Sequence, residues 1–220
     1  MHPMLAAVPA TPIVFFGAIV AIIVAFAVWS TRKTRDNLTQ LARDLGFQLR
    51  QKPPVLGLFQ PLPTVDGERG GRKVRFFQFT TGSRKSRTTW SAIGVECANP
   101  HDLKLNLFAQ NFLTQLGEKL GMQDIRLGDP AFDEKFVVQT NAPDYLRAAL
   151  LPELREPLLR HWDFRMGRNN LKIEGGEVVY AENNQFTDDA MLQRMKALLE
   201  VLLALAILPE IYPPSSRTNA

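Results

Sequence analysis

Apolar residues recur along this chain at three different spacings, and each spacing predicts a different element. Near the N-terminus they are continuous: residues 13–29 read IVFFGAIVAIIVAFAVW, and no charged side chain occurs from Pro3 through Thr31. A helix rises about 1.5 Å per residue and the hydrocarbon core of a bilayer is about 30 Å thick. Residues 11–30 are therefore long enough to span it, with Pro12 suited to the first turn and Trp29 to the interface. Next, Leu38, Leu41, Ala42 and Leu45 fall at helical spacing and Gly46 supplies a stop, so a short amphipathic helix extends the span or hinges just after it.

Beyond Pro53-Pro54, and with Pro61 and Pro63 confining the approach, the pattern becomes β-like. Residues 73–79, 88–96 and 103–108 are rich in β-branched, aromatic or alternating apolar side chains. Residues 66–71 and 81–87 form turn clusters between the first of them, which predicts an antiparallel meander. Helical spacing returns at Phe112, Leu113, Leu116 and Leu120, closed by Gly121. A strand follows at 136–140, then a helix from an Asn141 N-cap to Leu150, and a second helix from Pro152 to about Arg160. Residues 164–166, 171–174 and 177–181 read as strands, the last two joined by the hairpin pair Gly175-Gly176. Asp188 caps a final helix striped by Met191, Met195, Leu198, Leu202 and Leu205. The apolar run 197–208 contains Glu200 and stops at Pro209, too short to span a membrane, so it belongs to that soluble helix. Residues 212–220 read as a disordered tail. The fold class expected is α+β: an N-terminal transmembrane helix, then one soluble domain with a mostly antiparallel sheet and packed helices.

Charge sharpens the membrane reading. The chain has 26 Lys+Arg and 22 Asp+Glu, but the balance is uneven. Residues 32–87 carry thirteen basic against four acidic side chains, a net of +9; residues 88–220 carry thirteen against eighteen, a net of −5. A cleaved signal peptide wants its positive charge before the apolar run. Here only His2 and the α-amino group precede it, while Arg32, Lys33 and Arg35 follow. The segment is thus expected to be a retained anchor, with residues 1–11 outside and the basic flank inside. The organisation expected is a short extracytoplasmic N-terminus at 1–11, a transmembrane helix at 12–30, a basic juxtamembrane helix at 31–52, a cytoplasmic α+β domain at 53–211 and a tail at 212–220. One cysteine, Cys97, excludes an intramolecular disulfide and a cysteine-based zinc cluster, and agrees with a reducing compartment.

Catalytic templates fail. The loop Gly82-Ser83-Arg84-Lys85-Ser86 is superficially like a phosphate loop but leads into strand-like sequence, whereas phosphate loops need a helix N-terminus. His2, His101 and His161 lie far apart without ligand-spaced neighbours, and Gly-x-Ser-x-Gly is absent. Cys97 follows an apolar strand and reads as a small buried hydrophobe. His161-Trp162-Asp163 reads as a helix exit with an interfacial Trp. Asp129, Asp133 and Glu134 are the densest acidic group, yet Asp129-Pro130 is a good N-cap and N1 pair, with Phe132 and Phe136 anchoring the turn.

That same stretch carries a resemblance. Gly128-Asp129-Pro130, Phe132-Asp133 and Phe136-Val137-Val138, followed by Leu150, Pro152 and Leu158-Leu159, resemble sequences of uncharacterised bacterial single-pass inner-membrane proteins, N-terminally anchored and of unknown function. Those proteins similarly place Thr-Gly-Ser-x-Lys-Ser between two strands, matched here by 81–86, and the likeness covers about residues 70–185. It implies a bacterial inner-membrane protein with a cytoplasmic domain and brings no catalytic residues; from the residues themselves no cofactor and no metal site is expected.

The expected function is therefore a membrane-anchored cytoplasmic binding or assembly module, with the lipid bilayer and other membrane or cytoplasmic proteins as partners. No nucleic acid is expected, since no RNA-binding sheet motif is matched. Two alternatives stand beside it. One is an enzyme with an acidic and histidine pocket built from Asp129, Asp133 and His161. The other is a sensor of anionic lipid, in which Arg32, Lys33, Arg35, Arg72, Lys73, Arg84, Lys85 and Arg87 contact headgroups; the basic turns at 69–75 and 84–87 would be brought together by one hairpin.

Overall fold

The structure is a computed structural model that describes residues 10–51, 62–83, 86–110, 122–165 and 169–214, the side chains of 10–14 excepted. The apolar run and the amphipathic stretch after it form one unbroken helix, α1 (Ala10–Leu45). Its first half presents Phe15, Phe16, Ile22, Ile23 and Phe26 outward, each more than 60% exposed. Its second half buries Thr34, Leu38, Leu41 and Ala42 in the core of the domain. Full burial of a leucine side chain contributes about 1.5–3 kcal/mol, so Leu38 and Leu41 tie the helix firmly to the rest of the domain. Between the halves the hydroxyl of Thr31 donates to the Ala27 carbonyl (2.9 Å), within the helix itself. α1 ends in a Schellman arrangement: Gly46 has φ +70°, its N–H donates to Arg43 O (3.2 Å), and Phe47 N–H donates to Ala42 O (2.8 Å). The helix thus stops at Leu45, where Gly46 is expected to end it, and within the 31–52 segment expected as juxtamembrane helix Gln48–Arg50 instead joins the sheet as β1.

The sheet has nine strands among the described residues, every neighbouring pair antiparallel, in the order β1-β2-β3-β4-β9-β8-β5-β7-β6. β2 (Thr64–Arg69), β3 (Arg72–Thr81) and β4 (Thr88–Glu96) form the expected meander. Residues 66–69, expected in a turn, belong to β2; the turn shrinks to Gly70-Gly71, with φ of +60° and +73°. β5 (Leu105–Ala109), β6 (Gln123–Ile125) and β7 (Phe136–Thr140) build the far side. The last hairpin, β8 (Asn170–Glu174) and β9 (Glu177–Glu182), returns to lie between β4 and β5, and joins the two halves. Its turn is Gly175-Gly176, with φ of +62° and +83°, as a two-residue primed turn requires.

Helices cover one face of this sheet. α5 (Asp189–Leu205) is capped by Asp188, whose carboxylate accepts from Met191 N–H (3.1 Å), and all five residues of its predicted stripe are fully buried. α2 (Pro130–Asp133), α3 (Pro143–Ala149), α4 (Pro152–His161) and α6 (Leu208–Ile211) complete the layer. Three expectations change. Ala142, not Asn141, occupies the N-cap of α3. Asn141 instead bridges chain segments, its amide donating to Asp102 O (2.7 Å) and its carbonyl accepting from Lys104 N–H (2.8 Å). Phe164 and Arg165 are irregular rather than a strand, because Asp163 bends the chain by accepting from Arg165 N–H (3.0 Å). Tyr212 is no part of a tail: its ring packs 4.9 Å from that of Tyr145. The helix expected around 112–120, and 215–220 of the tail, lie outside the described residues.

Candidate functional site

α1 and α5 run side by side in the same direction. The start of α5 is pinned to α1 just past its exposed apolar band. Lys33 Nζ lies 2.9 Å from Asp189 Oδ1, and Asn37 Nδ2 donates to Phe186 O (2.8 Å) and Asp189 Oδ1 (2.9 Å). These hydrogen bonds, Lys33's first, hold the Asp189 carboxyl below its ordinary value. Further along, Lys196 pairs with Asp44. Ser30 Oγ donates to Gln185 Oε1 (3.3 Å), so the loop after β9 touches the helix where its uncharged stretch ends. The domain therefore has an end at the level of Ser30 and a far end near Gly46.

The two basic turns lie at opposite ends, and this corrects the expectation that one hairpin brings them together. Ten-residue β3 separates them, about 30 Å at strand rise. At the far end the basic side chains have acidic partners. Arg69 pairs with Glu200 (2.7 Å), Lys73 with Glu96 (3.1 Å) and Arg75 with Glu177 (3.3 Å), and the Arg75 guanidinium stacks 4.5 Å over Phe77. Arg72 grips Glu210 with both terminal nitrogens, and Glu210 also accepts from Ala98 N–H (3.2 Å). The Arg72 hydrogen bond holds the Glu210 carboxyl below its ordinary value. A groove of about 890 Å³ runs over this end, lined by Arg50, Asp66, Lys73, Arg75, Glu96 and Glu177 among others, and each of its three cations is paired with a carboxylate.

The near end differs. A cleft of about 560 Å³ opens between α1 and the tip of the β3–β4 hairpin. Phe26, Trp29 and Ser30 form one wall; Arg87, Thr88, Thr89 and the Asn183–Gln185 loop form the other. Phe26 and Trp29 are successive on one helix stripe, ring centroids 5.7 Å apart, and that stripe continues through Ser30, Lys33 and Asn37 into the docked surface. Arg87 is exposed and makes no ion pair among the described residues. Arg32 and Arg35 are likewise exposed on α1 without an ion pair among the described residues. Arg84 and Lys85 lie outside the described residues.

The residues of the enzymatic alternative are spent on structure or stand apart. Asp129 caps α2, accepting from Phe132 N–H (3.3 Å), and lies 3.3 Å from Arg155. Asp133 accepts from Leu127 N–H and Gly128 N–H, both at 2.9 Å, and so closes the preceding turn. His161 ends α4, and neither groove is lined by any of the three. Among the described residues no group of His, Cys, Asp or Glu side chains is placed to hold a metal. Cys97 is buried, and burial pushes its thiol up to about 11, where it is not a nucleophile at neutral pH.

Sequence reasoning missed one charged network. Asp163 and Glu182, 7% and 1% exposed, share Arg194, whose Nη2 lies 3.2 Å from Asp163 Oδ2 and 2.8 Å from Glu182 Oε2. The Tyr180 hydroxyl donates to Glu182 (2.8 Å), and burial and Glu182 together push it well above its ordinary value. Burial opposes ionisation of Asp163, but hydrogen bonds from Arg165 and the charge of Arg194 outweigh it and hold the carboxyl low. Trp162, beside it, is 4% exposed and stacks edge-on to Phe136 (4.9 Å), so it is an interior rather than an interfacial residue. The network opens to neither groove and serves to clamp α5 onto β9 and the segment after α4. Three charges distant in sequence carry no local pattern that would have revealed it.

Comparison with known proteins bears on the fold. The chain is similar to the crystal structure of the mycobacterial trehalose monomycolate transport factor A, TtfA. The TM-score is 0.54 at 14% identity, over 83% of this chain and 97% of that one. The likeness is one of fold. No family model and no curated protein sequence matches the chain.

Proposed function

We propose that this protein is a single-pass, membrane-anchored module that works by binding or assembly, with its α+β domain on the cytoplasmic side and its N-terminus outside. The observation that carries the reading is the continuity of α1: a band long and apolar enough to cross a membrane passes without a break into a stretch buried in the domain core. A flexible tether would let the domain swing, whereas this helix holds one end of the sheet at the bilayer surface. The basic flank Arg32, Lys33 and Arg35 supports the orientation, since Lys and Arg stay cytoplasmic. The commitment of Asp129 and Asp133 to backbone caps supports binding over catalysis. The fold neighbour's name, a transport factor for trehalose monomycolate, supports a place for this chain among proteins that handle membrane lipid, and its mycobacterial source agrees with the bacterial resemblance.

The test is topological. Carbonate-washed membranes are expected to retain the full chain, and a phosphatase fused after Ala220 to be inactive while a fluorescent protein fused there is bright. Release of the chain by carbonate, or an active phosphatase, would overturn the reading.

A further inference from the structure

We infer that the cleft between α1 and the β3–β4 hairpin tip is a binding site for the headgroup of one anionic phospholipid, with Arg87 as its phosphate-binding residue. The inference rests on the reading of α1 as a membrane anchor. Three observations converge. The first is level: residues 12–30 of the helix cover about 28 Å at 1.5 Å per residue, which places Trp29 and Ser30 at the headgroup layer, and these are the residues that line the cleft.

The second is its two-sided chemistry. One wall is Phe26 and Trp29, 64% and 55% exposed, continuous with the lipid-facing band. The other wall is a guanidinium, threonine hydroxyls and side-chain amides carried by the domain. A free phosphate would need only the second wall. A phospholipid uses both, its chain beside the rings and its phosphate against Arg87, Thr88 and Thr89.

The third is the unspent charge. Arg87 has no acidic partner among the described residues, and the side chains of Thr88 and Thr89 have no hydrogen-bond partner there. At the far end of the same strands, Arg69, Arg72, Lys73 and Arg75 are all paired. A planar fork of donors suits phosphate. Lys33, one turn further along α1, is tied to Asp189 and does not compete for the site.

The full chain, exchanged into nanodiscs of phosphatidylcholine alone or mixed with phosphatidylglycerol, tests this by native mass spectrometry of the lipid retained after release. The wild-type chain is expected to keep one phosphatidylglycerol in preference to phosphatidylcholine. Arg87→Ala should weaken that preference about tenfold, the share of one charge-assisted hydrogen bond to phosphate. Arg35→Ala, exposed on α1 but outside the cleft, should leave it unchanged, and excess inorganic phosphate should not displace the lipid. Equal preference in wild type and Arg87→Ala overturns the site. So does an equal loss with Arg35→Ala, which means diffuse attraction, and so does displacement by inorganic phosphate, which means a free-anion site. Carbonate release of the chain from native membranes would instead strike the anchor reading, so the two failures are distinguishable.

Discussion

The two ends of β3 carry the same kind of residue and use it oppositely. At the far end, arginine and lysine are matched by Glu96, Glu177, Glu200 and Glu210, contributed by β4, β9, α5 and α6. At the end beside Ser30, Arg87 faces a cleft with no carboxylate in its lining. A basic side chain near an acidic one is structural, and one held away from acid beside an aromatic wall is available for a ligand. Positive charge along the sequence thus separates, in space, into charge paired within the fold and charge left without an acidic partner among the described residues.

The sharpest way to break that distinction is to remove the basic residues in order of how much of the fold they hold. Arg194→Leu leaves Asp163 and Glu182 buried without a counter-charge and should cost about 3–5 kcal/mol, seen as a lower urea midpoint for the full chain in detergent. Arg72→Ala should cost about 1.5–3 kcal/mol by losing charge-assisted hydrogen bonds. The same pair sets a pH dependence. Because the folded-state value of Glu210 lies below its ordinary one, the stabilisation is full above the ordinary glutamate value and is lost as pH falls through the lowered one. Wild-type chain should therefore lose stability on acidification more steeply than Arg72→Ala, and parallel acid titrations of the two would refute the assignment. Lys73→Ala removes a pair whose members are 81% and 57% exposed, and should change stability by no more than about 1 kcal/mol. Smallest of all, Arg87→Ala should stay within about 0.5 kcal/mol of wild type while changing lipid retention; a large loss of stability would place Arg87 with the structural group.

A second contrast lies within α1. The run from Phe15 to Trp29 and the stripe of Leu38, Leu41, Ala42 and Leu45 are both apolar, but only the stripe is covered by the domain. The sequence pattern distinguished them because a continuous run is apolar on every side and long enough to cross a membrane, whereas a helical stripe is apolar only on the side that meets a packing partner. The same logic made α5, the hairpin strands beside Gly175-Gly176 and the Asp129 and Asp188 caps readable, since each depends on residues within a few positions of one another.

What the sequence determined by itself, then, was local and periodic: an apolar helix of membrane length, an antiparallel α+β domain, the Asp129 and Asp188 caps, the Gly175-Gly176 turn and a buried Cys97. Asn141 shows the limit, since its position shortly before Pro143 fits an N-cap, yet Asp102 and Lys104 from a distant loop claim its amide. Tertiary structure alone decided which basic residues meet acids, that β8 and β9 close the sheet between β4 and β5, that Arg194 joins two buried carboxylates, and that Trp29 and Arg87 line one cleft. These are pairings across 12 to more than 130 residues, and periodicity specifies which face of an element is buried but not what it is buried against.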